Sequence, residues 1–146
     1  MENSLIEQFD KARYNMSKWF TIGWAIWFGS NIIQDYLLAI NRLLFIFVVL
    51  AGLVGSIFFS IYLIKFTKLN GKINADRKLK EALNNEMIRF YTYKSFSIGF
   101  GAFAVTIACF LAISAFYSIS ALLVCKITLY LGMLSALVAN LIYNRN

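Results

Sequence analysis

Two charged residues stand where charge is costly. Lys126 lies inside a long apolar run, and Asp35 lies at the end of another. If those runs cross a bilayer, a charge near the centre costs about 2.5 to 3.5 kcal/mol on insertion scales, so each position calls for a reason. The simplest is that Lys126 sits about 9 Å below a turn and extends its ammonium to the headgroups. Its depth in the outer third of the last run nonetheless matches that of Asp35 at the outer end of the first. Two opposite charges at one depth would offset part of each other's desolvation. Lys126 and Asp35 therefore form the membrane polar site that the sequence offers. Asn31, Gln34 and Asn140 are weaker candidates, able to bridge helices but equally suited to the ends of spans.

Little else in the chain suits catalysis. Histidine is absent, which removes the commonest general base and the commonest nitrogen ligand for a metal. Six of the seven acidic residues lie in polar segments beside comparable numbers of lysines and arginines, as solvated helix faces do. No glycine-rich phosphate loop or dinucleotide fingerprint is present. Cys109 and Cys125 lie in apolar runs without CxxC spacing. They read as buried small hydrophobes, at similar distances before and after a hairpin at residues 117–120. No enzyme activity, metal or cofactor is expected.

The elements that must position these residues follow from composition. Of 146 residues, 60% are hydrophobic and 14% charged, against about 45 to 50% and about 25% in soluble domains, so the surplus apolar surface needs lipid. The first apolar run begins only at Trp19, behind a mixed-charge stretch and without a small-residue cleavage site after it. It is expected to stay in the mature protein rather than serve as a signal peptide. The net charge of +7 sits in short segments beside apolar runs, a pattern that orients a membrane protein and does not suggest specific nucleic-acid binding.

The expected fold is all-α: a four-helix integral membrane bundle in one transmembrane domain. Its spans fall at about 19–38, 43–64, 95–117 and 120–143. Residues 43–64 are an uninterrupted apolar run of the length a span needs, and the 31 uncharged residues 95–125 are too long for one helix. Residues 19–34 are short, and Trp19, Trp24 and Trp27 would suit the headgroup level, so a three-span arrangement with an interfacial first helix is the rival. Amphipathic helices are expected at about 4–17, opened by a Ser4–Glu7 capping box, and at about 74–94, after a turn at Asn70 and Gly71. Residues 65–94 carry eight basic and three acidic residues, a net +5. Four spans put this segment, the amino-terminal residues and Arg145 on one side, expected to be the cytoplasm.

Small side chains recur on one face of three spans. They are Ser97, Gly101, Ala104, Ala108, Ala112 and Ala115 on the third, Gly52, Ser56 and Ser60 on the second, and Gly132, Ala136 and Asn140 on the fourth. Such faces let helices approach closely, within one subunit or between subunits, and three in so small a protein favour a homo-oligomer. On the basic segment Leu79, Leu83, Met87 and Phe90 fall on one stripe, flanked by Arg77, Lys78 and Lys80. That stripe would dock a cytoplasmic protein partner or lie on anionic lipid heads.

The leading expectation is a non-enzymatic, self-associating membrane subunit in a bacterial inner membrane, acting as an anchor or sensor for a cytoplasmic partner. The alternative is a pore-forming or permeabilising protein of the holin or antiphage-effector type. An immunity protein or small transporter comes third.

Overall fold

The computed structural model describes residues 2–83 and 86–145; at 2–4, 36 and 38–40 it describes the backbone. Among these residues the chain forms five α-helices and no strand: α1 (Glu2–Ile40), α2 (Arg42–Ala75), α3 (Arg77–Leu83), α4 (Glu86–Ser114) and α5 (Ala121–Tyr143). Three of them, α2, α4 and α5, are long and apolar enough to cross a membrane. The helix α1 is longer than any of these, but Ser30, Asn31, Gln34 and Asp35 dilute its apolar half.

The amphipathic segment 4–17 and the first apolar run are one continuous helix, not two. With no Gly or Pro between residues 14 and 22, nothing in the sequence interrupts the backbone ladder there. Because α1 already includes Glu2, Ser4 stands within its first turn rather than before it, and the side chain of Ser4 lies outside the described residues. Glu7 bonds instead to Lys11, one turn on, at 2.7 Å.

Only Asn41 separates α1 from α2. It caps α2 by accepting hydrogen bonds from the amides of Leu43 (3.0 Å) and Leu44 (3.3 Å), two of the donors a helix start leaves free. The turn expected at Asn70 and Gly71 does not form, since α2 runs on to Ala75. A mid-helix glycine costs about 1 kcal/mol. Here the packing of Leu69 and Ile73 against Ile6 and Phe9 of α1, with Leu79 and Leu83 of α3, outweighs it. The helix expected at 74–94 is broken at Asp76. Asp76 ends α2 and caps α3, its carboxylate accepting from the amides of Lys78 (2.9 Å) and Leu79 (3.3 Å).

The helices pair antiparallel. Along α1 and α2 the contacts run from Trp19 on Tyr62, through Phe20 on Phe59 and Gly23 on Gly55, to Ser30 on Gly52. Along α4 and α5 they run from Tyr91 on Tyr143 to Gly99 and Phe103 on Gly132. The two hairpins meet where α1 lies against α5, with Trp24 and Phe28 stacked on Tyr130. The packing order is therefore α2, α1, α5, α4, with no comparable seam between α2 and α4.

Candidate functional site

At the end of the molecule that holds the Asn41 turn, Lys126 of α5 donates from Nζ to Oδ2 of Asp35 on α1. The two sequence positions singled out for buried charge thus meet across the α1–α5 seam. The lysine side chain is 25% exposed and the aspartate 47%, so the pair lies at the rim of the seam rather than within it. Asn31 and Gln34 lead toward it along α1. Asn31 Nδ2 donates to the carbonyl of Trp27 at 3.0 Å, and Gln34 Nε2 donates to Asn31 Oδ1 at 3.1 Å. Both amides are satisfied within their own helix.

The opposite end carries a cavity of about 230 Å³ lined by all four long helices, and among its walls are Asp10, Arg13 and Tyr14 of α1, Asn70 of α2, Thr92 of α4, Asn140 of α5 and Asn144, which caps α5. Arg13 organises it. One guanidinium nitrogen donates to Asp10 at 2.7 Å and another to the carbonyl of Leu83 at 2.9 Å, at the carboxyl end of α3, where a cation meets both free carbonyls and the negative end of the helix dipole. Asn144 donates to the carbonyl and side-chain oxygens of Asn140 at 2.8 and 2.6 Å. Of these groups only Asn140 is a site candidate from sequence, where Asn70 reads as a turn residue. The signal was available, because Asp10, Arg13, Tyr14 and Ser17 recur at helical spacing on one face of α1. Nearby, the Lys11 ammonium hydrogen-bonded to Glu7 holds that carboxyl below the usual range, by the hydrogen bond first and charge second. Both side chains are exposed, where such a pair contributes little.

Half of the docking stripe expected on the basic segment is covered within the chain. Leu79 and Leu83 are 8% and 3% exposed, turned inward onto Ile73, Ile6 and Phe9. A seven-residue helix holds its place only by burying such a face. Met87 and Phe90 remain exposed at the start of α4, and Arg77, Lys78 and Lys80 are exposed on α3.

The three small-residue stripes have different fates. On α5, Gly132 is buried, and a Cβ at Gly99 would lie 2.6 Å from that of Ala136 and 2.7 Å from the Gly132 carbonyl, so this stripe seats α4. On α2, Gly52 is buried against Ser30 and Ser56 is half-buried, but Ser60 is exposed. The stripe that faces α1 runs instead through Gly55, where a Cβ would stand 2.7 Å from the Trp27 amide. The third stripe, Ser97, Gly101, Ala104, Ala108 and Ala112 on α4 with Ala115 just past its end, is exposed throughout. The α5-facing side of α4 is formed by Ser95, Gly99 and Phe103, and the stripe lies on the opposite side of the helix.

The tryptophans do not keep to one level. Trp24 is 7% exposed and stacked on Tyr130 at 5.7 Å, Trp27 on Phe59 at 5.4 Å and Trp19 on Tyr62 at 6.1 Å. They bind α1 to both of its neighbours. Cys109 and Cys125, expected to be buried, are exposed free thiols. Comparison with known protein families, curated proteins and solved structures found no match to this chain.

Proposed function

We propose that this chain is a non-enzymatic membrane protein of four crossings that associates with further copies of itself through α4 and anchors a basic platform at the cytoplasmic face. The observation that carries the reading is the α4 stripe. Six small residues at helical spacing, Ser97 to Ala115, are all exposed, and a Cβ at Gly101 would have nothing within 4 Å, whereas Gly23, Gly55, Gly99 and Gly132 are used to bring helices together. In lipid, where apolar surface alone gives no reason for helices to associate, such a smooth face is what a second helix packs against.

Four crossings are supported by the position of α1. Its residues from Trp19 to Ser30 lie beside Tyr62 to Gly52 of α2, so a bilayer that contains this part of α2 contains α1 at the same depth. The polarity of α1 is compatible with this, because α2 and α5 flank it and Thr21, Trp24 and Ser30 are buried. The charge distribution supports the orientation: twelve of the 14 Lys and Arg residues lie outside the Asn41 turn, the 115–120 turn and their adjoining helix ends.

The test is association of the full chain in mild detergent, read by native mass spectrometry. Masses at multiples of 16.7 kDa are expected. Ala108→Leu or Ala112→Leu should shift them toward the monomer by about tenfold in dissociation constant, while Phe110→Leu, on the α5 side, should not. Retention of the assembly by both alanine variants refutes association through this face. A membrane-potential dye after induced expression distinguishes the pore-forming alternative: an anchor leaves the potential intact, and a pore collapses it.

A further inference from the structure

Two cavities follow one another along α4 on the side left open toward α2. At the basic end a cleft of about 740 Å³ is lined by Asn74, Arg77, Lys80, Glu81 and Arg89, from α2, α3 and α4. Further along, a groove of about 340 Å³ between α4 and α5 is lined only by apolar residues and two glycines, with Phe96, Phe100, Phe103, Leu129 and Met133 as its large side chains. Arg89, Phe96 and Phe103 stand at seven-residue intervals, so they share one face of α4 and each step is about 10 Å along the axis. A basic cleft is thus continued, on the same helix face, by an apolar groove.

From this juxtaposition we infer that the chain holds one anionic phospholipid, its phosphate in the cleft between Arg77, Lys80 and Arg89 and one acyl chain in the groove. Three cations face one carboxylate in the cleft, and that carboxylate, Glu81, is already bonded to Arg77 at 3.0 Å, which leaves an excess of positive charge for a phosphodiester. Phe96 and Phe100 are 64% and 74% exposed, so the groove is open at its flank. A second copy is the poorer occupant. It would bring an equally basic end against the cleft, and the α4 face suited to a second copy lies away from α5 rather than over this groove. The inference rests on the membrane placement proposed above and not on association through α4.

The experiment titrates the full chain in mild detergent with long-chain phosphatidylglycerol, long-chain phosphatidylcholine or soluble glycerol phosphate, and reads bound ligand by native mass spectrometry. Phosphatidylglycerol should be retained at least tenfold more strongly than phosphatidylcholine, and glycerol phosphate at least a hundredfold more weakly. The double variant Arg77→Gln, Arg89→Gln, at the solvent-facing cleft, should bring phosphatidylglycerol down to the phosphatidylcholine level. Met133→Trp and, independently, Leu129→Trp should fill the groove and lower retention of both lipids by about tenfold. Equal retention of the two lipids overturns the inference, as does indifference to the double arginine variant. Glycerol phosphate bound as tightly as the lipid would mean the groove is idle. Loss of assembly rather than of lipid in the tryptophan variants would make a second copy the occupant. Failure of the membrane placement itself is distinguishable, because the chain would then be released from membranes by an alkaline wash.

Discussion

The Asp35–Lys126 pair is a small feature with a specific energetic consequence. Removing one partner leaves the other charge at the seam with its desolvation uncompensated, whereas replacing both with apolar residues removes the cost and the gain together. Asp35→Leu and Lys126→Leu are therefore each expected to lower thermal stability in detergent by about 1 to 3 kcal/mol, and the double variant to recover most of that loss. Exchanging the charges, Asp35→Lys with Lys126→Asp, should restore more than either single exchange. If Lys126→Leu is neutral with Asp35 intact, the ammonium serves the headgroups and not the carboxylate. The sequence disclosed this pair because both residues break apolar runs at equal depth. It did not disclose Arg13, whose partners Asp10 and the Leu83 carbonyl make it look, in sequence, like any solvated basic residue.

Among the elements, glycine position decides how near the helices come. A Cβ at Gly23 would stand 2.7 Å from the Phe59 amide nitrogen, and one at Gly99 2.6 Å from the Ala136 Cβ, whereas Gly71 has nothing within 4 Å. Gly23→Ala and Gly99→Ala must push backbones apart, and each is expected to cost about 1 to 3 kcal/mol in thermal unfolding. Gly71→Ala, on an exposed turn of α2, should instead stabilise by up to about 1 kcal/mol, because glycine is the poorer helix former. A neutral Gly99→Ala would mean that α4 and α5 are not seated on each other as described. Helical spacing alone could find these stripes, but could not say which neighbour each faced. Ser60 and the α4 series share the small-residue pattern of Gly52 and Gly132 and yet point outward.

The whole molecule exposes 10142 Å², against about 7,600 Å² for a compact soluble monomer of its mass. The excess follows from helices packed in succession, without a seam between α2 and α4, and from the apolar surface of α2, α4 and α5 turned outward. On the proposed reading lipid covers that surface, with a second copy over part of it. The topology is open to direct labelling after Cys109 and Cys125 are replaced by serine. Cysteines at Asn3, Asn74 and Arg145 should be protected from an impermeant thiol reagent in intact cells, and one at Asn41 should react. Labelling at Asn3 with protection at Asn74 would leave three crossings, with α1 outside the bilayer.

Composition and apolar run length by themselves determined that this chain is helical and carries long apolar runs, because lipid demands continuous apolar runs whose backbone bonds internally; of the four spans expected from them, three are helices long and apolar enough to cross a membrane. They also located the two charges that break those runs. Tertiary structure decided everything that depends on which face meets which. It carried α2 through Asn70 and Gly71. It also turned Leu79 and Leu83 onto Ile6, Phe9 and Ile73, away from any external partner. The reason is common to both. A hydrophobic stripe or a small-residue stripe specifies that a face will be covered, and the covering surface comes from residues distant in the chain, which local spacing cannot identify.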